Sequence, residues 1–339
     1  MEQGRRVTQT LTFSGKKVDV ILKDYIESMT YTDVASGSSD TLSITLQNID
    51  GNWLTKWYPK KGNTVSGGII FKNWSNGQDK KLNCGTFTMD DIKMKMGPKT
   101  ADFSCVSAPA KESFKTRERD KTWEKITIQG IASEICGRYG LTLKYSGPSI
   151  MIKKLEQSNN DSSFLSKLCE DYGLAMKIYR RKIVIYDIVK IEKKKAVATL
   201  SMKNFTDVSF TDGIYGTYTG ARVSYKSAND DKEISIFVGT KGENAKGSRV
   251  LKVNETCDSE AEARMKGAAQ VNKSNMKATT LSATMFPNPK VCAGVCIRLG
   301  DEFGKLKGKY FVDKVTWDVG GSVTSQKIEA HKVKKKVIA

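Results

Sequence analysis

Arg138-Tyr139-Gly140-Leu141-Thr142-Leu143-Lys144-Tyr145 recurs as Asp171-Tyr172-Gly173-Leu174-Ala175-Met176-Lys177-Ile178. In each copy an apolar helical stripe leads into the motif and a period-2 pattern leads out of it. The glycine falls where a helix C-terminus takes a left-handed residue, and the leucine after it opens a strand. Two such helix-to-strand units in tandem describe a compact α/β module.

Outward from the motif, Ile128, Ile131, Ala132, Ile135 and Tyr139 share one helical stripe, for which Thr122 is the expected cap. Residues 141–145 read as a strand that Ser146-Gly147-Pro148 ends. Asn160-Asp161-Ser162-Ser163 is a capping sequence ahead of Phe164, Leu165, Leu168, Cys169 and Tyr172, which form one apolar face. Strands at 174–179 and 183–186, joined by Arg180-Arg181-Lys182, close the module, so it runs from about 122 to 188. A charged linker at 111–121 precedes it and a lysine run at 190–195 follows it. The domain division expected is 1–112, 113–192 and 193–339.

Both flanks read as β. In the first, Leu11-Thr12-Phe13 leads to a Ser14-Gly15 turn and a strand at 18–22. Asp40-Thr41-Leu42-Ser43-Ile44-Thr45-Leu46 alternates, with Leu42, Ile44 and Leu46 on one face, before the turn Asn48-Ile49-Asp50-Gly51-Asn52. Strands at 68–72, 84–89 and 100–106 follow, punctuated by Asn76-Gly77 and Gly97-Pro98. In the last flank, strands are expected at 196–202, 206–210, 217–226 and 234–238. A helix over 261–273 comes next, capped by Asp258 or Ser259 with Glu262 as box partner. Strands at 279–286, 295–299, 310–318 and 323–332 complete it, with turns at Pro287-Asn288-Pro289 and Gly320-Gly321. The fold class is mainly β with an α+β insertion: two β-barrel domains flank a small helix-strand module.

Composition narrows the function classes. The chain has 339 residues, 39% hydrophobic and 27% charged, with no apolar run long enough to span a bilayer and no apolar stretch after Met1-Glu2-Gln3-Gly4-Arg5-Arg6. Seven cysteines set mostly in apolar stretches fit reduced thiols and synthesis in a cytoplasm. The net charge of +19 makes a basic nucleic-acid-binding module the alternative reading. Against it, lysines alternate with apolar residues, as in Ile92-Lys93-Met94-Lys95-Met96, and the runs at 190–195 and 332–336 lack interleaved aromatics.

Catalytic signatures are missing, so no enzyme, cofactor or metal site is expected. The single histidine, His331, sits by a lysine tail as a satisfied or exposed surface residue and rules out a two-histidine metal site within one chain. Cys292 and Cys296 are one residue too far apart for a CxxC motif. Gly304 to Gly308 is one residue short of a phosphate loop, has Tyr310 where Ser or Thr belongs, and precedes a strand. Asp90 and Asp91 fall on opposite faces of a strand, and Asp230-Asp231 in a turn. Trp53, Trp57 and Tyr58 read either as lids on the first barrel or as anchors for a neighbouring subunit. Phe164, Tyr172 and Trp317 join them as candidate interface residues.

The layout resembles the baseplate hub proteins of contractile phage tails and phage-like particles, the late control protein D family. The likeness rests on Asp40 to Leu46 with Asp50-Gly51-Asn52-Trp53 and Gly85 to Met89, on Gln157 through Leu168 into Tyr172-Gly173, and on Ser259 to Ala269 with Gly308 to Val315. Trp317 stands where many relatives carry histidine. The resemblance implies two tail-tube-like barrels and a homotrimer that adapts a six-fold tail tube to a three-fold spike. It implies as partners the tail tube protein, the spike or tip protein, baseplate wedge proteins and the tape-measure protein, with a place in the virion or a tail-like bacteriocin and no membrane span. Nucleic acid would meet the chain only in transit through the tube. No lysozyme insertion, spike repeat or peptidase segment is recognised, so those activities are not carried over, and the missing acid/base constellation disfavours a third class, a cell-wall hydrolase.

Overall fold

A computed structural model describes residues 4–14, 16–17, 24–75, 77–107, 113–179, 181–226, 233–320 and 324–339. The first β segment contains β1 (Arg6–Phe13), β2 (Lys16–Lys17), β3 (Ile26–Val34), β4 (Thr41–Gln47), β5 (Thr64–Ser75), β6 (Gln78–Met96) and β7 (Lys99–Val106). Strand β4 shows the pattern at work: Leu42, Ile44 and Leu46 are buried, while Ser43 between them is exposed. The long β6 serves two neighbours, pairing with β5 through its first half and β7 through its second. Strand β3 was not legible, because Ser28, Thr30 and Thr32 alternate with only two apolar inward residues, Met29 and Tyr31, before Asp33. The strand expected at 18–22, the Asp230-Asp231 turn and Gly321 of the last turn lie outside the described residues.

The module contains α1 (Ser113–Thr116), β8 (Lys121–Thr127), α2 (Ile128–Tyr139), β9 (Thr142–Ser146), β10 (Met151–Gln157), α3 (Asp161–Asp171), β11 (Leu174–Tyr179), β12 (Lys182–Asp187) and α4 (Ile188–Lys193). Both repeats behave as read: Gly140 has φ 61° and Gly173 φ 70°, the left-handed region that ends a helix. Asn160 caps α3, its side chain accepting from Ser163 N–H at 2.9 Å. Thr122 is not the cap of α2. It lies within β8, and Thr127 Oγ1 takes the role by accepting from Gly130 N–H at 3.0 Å. Strands β8 and β10 pair antiparallel, whereas β11, β12 and β9 form a second small sheet in which β12 and β9 run parallel. Helices α2 and α3 cover these strands around Ile131, Ile135, Leu165, Leu168 and Ile185.

The last segment contains β13 (Thr199–Leu200), β14 (Phe205–Asp212), β15 (Gly220–Lys226), β16 (Glu233–Gly239), β17 (Val250–Asn254), α5 (Glu260–Met276), β18 (Thr279–Met285), β19 (Cys296–Leu299), β20 (Gly308–Gly320) and β21 (Ser325–Lys332). Ser259 caps α5, and Glu262 reaches back to Asp258 N–H at 2.8 Å. The segment is not one β unit with a helix. Strands β16, β15 and β17 form a separate sheet, covered by α5 around Val223, Val238, Ala263 and Val271.

The remaining strands of both flanks share a 13-stranded sheet in the order β14-β18-β21-β20-β3-β4-β7-β6-β5-β1-β2, with β19 on β20 and β13 on β19. The junction is the antiparallel pair β3·β20, from Lys314 opposite Val34 to Gly320 opposite Ser28. One apolar core runs across it, so that Phe71 of the first segment meets Trp317 of the last at 5.5 Å between ring centres. The two β segments are thereby joined through both hydrogen bonds and packing.

Candidate functional site

Among the described residues, no group of three or more His, Cys, Asp or Glu side chains is placed to hold a metal ion. Asp90 and Asp91 do not alternate as in a regular strand: the ladder slips between Met89 and Asp91, and both carboxylates are exposed. All seven cysteines are free, six of them buried and Cys292 half-buried. Gly304 to Leu306 belong to a short helical turn that leads into strand β20. No helix among the described residues is long and apolar enough to cross a membrane.

The organised chemistry lies where the module meets the joined sheet. Lys177 on β11 contacts Asp33 on β3, and its Nζ lies 3.1 Å from Asp40, whose side chain is fully buried. Asp33 also accepts from Ala293 N–H at 2.9 Å, and Asp40 from Val34 N–H at 3.0 Å. Burial pushes Asp40 up to about 6; Lys177 opposes the shift and Asp33 adds to it. Tyr186 on β12 donates to Ala35 C=O at 2.7 Å, and Gly37 N–H donates to Met176 C=O at 3.1 Å. The module is thus mounted on β3 and the loop after it by one cation held between two carboxylates, with backbone bonds on either side.

A second polar cluster sits beside the first. His331 is not a surface residue: it is 2% exposed, its Nδ1 2.8 Å from Asp313 and its Nε2 3.0 Å from Glu192 of α4. Lys336 also reaches Glu192 at 2.8 Å. Burial pulls the imidazole pKa down, but the two carboxylates outweigh it and hold His331 above its ordinary value. Within the module, Asp161 is fully buried and accepts from Arg119 at 2.9 Å, Arg138 at 2.9 Å, Tyr139 at 2.7 Å and Gln157 at 2.8 Å. Burial would raise its pKa; the bonds from Gln157 and Tyr139 and the Arg138 charge hold it below the usual carboxylate range. The sequence marked Asp161 only as part of a cap, since its partners come from three other elements.

The structure separates the six candidate interface residues. Trp317 is fully buried on β20 at the junction, Trp53 is 5% exposed and Phe164 is 7% exposed, so their side chains are committed to the chain's own core. Tyr172 is half-buried and donates to Glu262 of α5 at 2.5 Å, tying the module to the third segment. Only Trp57, half-buried, and Tyr58, 55% exposed, keep aromatic surface free for a partner. They sit on the loop after β4, where Tyr25, Trp57, Trp53 and Phe103 form a chain of edge-to-face contacts leading from the surface into the core. Sequence reasoning missed Ile49, Leu54 and Met96, exposed at 71%, 43% and 66% in loop and turn segments of the same β unit. Strand periodicity carries no information about loop tips.

Two β segments joined in one sheet, with a helix-strand module on a polar mount, make a mainly β fold with an α+β module that solved phage tail proteins share. The 43 kDa tail protein of prophage MuSo2 from Shewanella oneidensis has that fold: it superposes with a TM-score of 0.71 at 14% identity, covering 96% of this chain and 98% of its own. The fold also recurs in the E. coli c3393 protein, a type VI secretion component described as similar to T4 tail proteins gp27 and gp5. There the TM-score is 0.57 at 9% identity, over 98% of this chain and 78% of that one. In sequence the chain is similar to the probable baseplate hub protein of Escherichia phage 186, 24% identical over 230 residues, or 66% of this chain and 57% of the phage protein. The chain therefore spans a little over half the length of that relative. No family model matches.

Proposed function

We propose that the chain is a structural baseplate hub of a contractile tail or tail-like particle, three copies of which join a six-fold tail tube to a three-fold spike. The observation that carries this reading is the β3·β20 junction, which fixes two β segments of one chain in a single sheet over one core. A ring of three such chains presents six β segments on a closed three-fold axis, compatible with six-fold symmetry on one face and three-fold on the other. The likeness to phage hub and tail proteins supports the same assignment.

In this reading the protein works by rigid geometry rather than by catalysis. The Lys177 and His331 clusters hold the module against the sheet, and the module braces the ring. Tube, spike, wedge and tape-measure proteins are the partners, and the net charge of +19 favours acidic surfaces among them. Electron cryomicroscopy of particles from the encoding strain tests the proposal: three copies of the chain between tube and spike are expected. Particles that lack the chain, or hold it in six-fold copy, refute it. A zymogram on peptidoglycan is expected to stay blank.

A further inference from the structure

Beyond Lys332, where β21 ends, residues 333–339 form neither helix nor strand. They are nonetheless anchored at three points, each on a different part of the molecule. Val333 N–H donates to Lys309 C=O of β20 at 2.9 Å, and its half-buried side chain packs against the cluster of Ala35, Cys296 and Phe311. Lys336 places its Nζ 2.8 Å from Glu192 of α4, with only 10% of its side chain exposed. Val337, 3% exposed, joins the apolar cluster of α5 and its sheet that holds Ala268 and Val271. Between and beyond these anchors, Lys334, Lys335 and Ile338 are exposed.

Asn272 of α5 receives Val337 as a neighbouring strand would. Its Oδ1 accepts from Val337 N–H at 2.9 Å, and its Nδ2 donates to Val337 C=O at 2.8 Å. A carboxamide that satisfies both backbone groups of one residue holds an extended chain whatever its side chain. The side chains are selected by their own sites. Glu192 is 2% exposed and also meets His331, so an empty slot leaves a buried carboxylate one cation short. Backbone, cation and apolar side chain are thus each matched in two consecutive residues, which is how a groove recognises a peptide. The same segment walls a cleft of about 840 Å³, whose other sides include Ile150 and Leu174 of the module and Met265 and Met276 of α5.

We propose that residues 333–337 are a removable strap: α4 and α5 together form a slot for an extended Lys-Val segment, and the chain's own Lys336-Val337 fills it, closing the module onto the α5 layer and walling the apolar cleft. With the strap out, these anchors are lost while the β3·β20 junction keeps its pairing. The inference concerns the chain alone and stands or falls independently of the hub reading.

The full chain carrying Lys336→Met with Val337→Asp has its slot vacated, and a fluorescent peptide with the sequence of residues 333–339 is titrated into it. Saturable binding is expected, about tenfold or more tighter than to the wild-type chain, whose slot is filled. The peptide carrying Lys336→Met is expected to bind about tenfold more weakly, as the loss of one charged hydrogen bond implies. Amide exchange in α4 and over 271–276 is expected to rise about tenfold in the double variant, to fall back when the peptide is added, and to stay at the wild-type rate in β3 and β20. A folded double variant that takes up no peptide, equal binding by the wild-type chain, indifference to Lys336→Met in the peptide, or unchanged exchange in α4 and over 271–276 would each overturn the strap. So would exchange that rises throughout the double variant, because residues 333–337 would then be part of the core.

Discussion

Replacing Lys177 with methionine keeps the length of the side chain and deletes the one cation that the structure sets between Asp33 and Asp40. Asp40 is fully buried and titrates near 6 instead of near 3.8, which at about 1.4 kcal/mol per pH unit makes its ionisation in the fold cost ~3 kcal/mol even with Lys177 present. The sign follows from the raised value. The fold carries no such penalty below pH 3.8, acquires it as pH climbs toward 6, and bears all of it above 6. Without Lys177 both carboxylates lose their counter-charge, and breaking a buried pair in this way costs about 3–5 kcal/mol at neutral pH. Protonation offers an escape, so at pH 5 the loss should shrink to about 1 kcal/mol or less. Urea unfolding of wild type and Lys177→Met at pH 5 and pH 8, with hydrogen exchange followed in peptides from β11 and β12, reads both effects. An equal loss at the two pH values would refute the reasoning, because it would make Lys177 a packing residue and not a charge partner.

Four further outcomes are expected. Trp317→Ala, at the β3·β20 junction with no exposure of its own, should cost about 3–5 kcal/mol in urea unfolding and loosen hydrogen exchange in both β3 and β20. Asp161→Asn should destabilise the module by about 3 kcal/mol or more at pH 7, and the difference from wild type should fade as acid protonates the wild-type carboxyl: its lowered pKa contributes stability above the unfolded value near 4 and loses it below the folded one. His331, held above its ordinary value, contributes stability below pH 6.5 that is lost as pH rises through its folded pKa; exchange in α4, corrected for intrinsic rate, should therefore accelerate as pH climbs above 6.5, and His331→Leu should remove that dependence. Titration of the native protein with a thiol reagent should modify Cys292 first and leave the six buried cysteines unreactive until unfolding, whereas rapid labelling of more than one would contradict the packing.

The parts that were legible in sequence are those set by neighbours along the chain. Gly140 and Gly173 announced their helix ends because a left-handed residue is a local demand, and Asn160 and Ser259 announced helix starts for the same reason. Leu42, Ile44 and Leu46 gave β4 by alternation alone. Strands β8 and β10 escaped because Glu124, Lys153 and Lys154 dominate their exposed sides. What no local pattern contains is which strands share a sheet. The β3·β20 pair joins residues nearly 290 positions apart in sequence, as Thr30 bonding Asp318 at 2.7 Å illustrates. The same limit hid the burial of Trp317 and His331: each is set by partners brought from other segments, Phe71 in one case and Glu192 in the other.

The claim at the centre is that three chains close a ring, and the mass of the purified protein in solution, taken by light scattering at low and high salt with and without short duplex DNA, addresses it most directly. A mass three times the 37.6 kDa of one chain, unchanged by DNA, is the expected result. A monomer or dimer across the concentration range, or a monomer whose mass rises with DNA and falls back with salt, would contradict it.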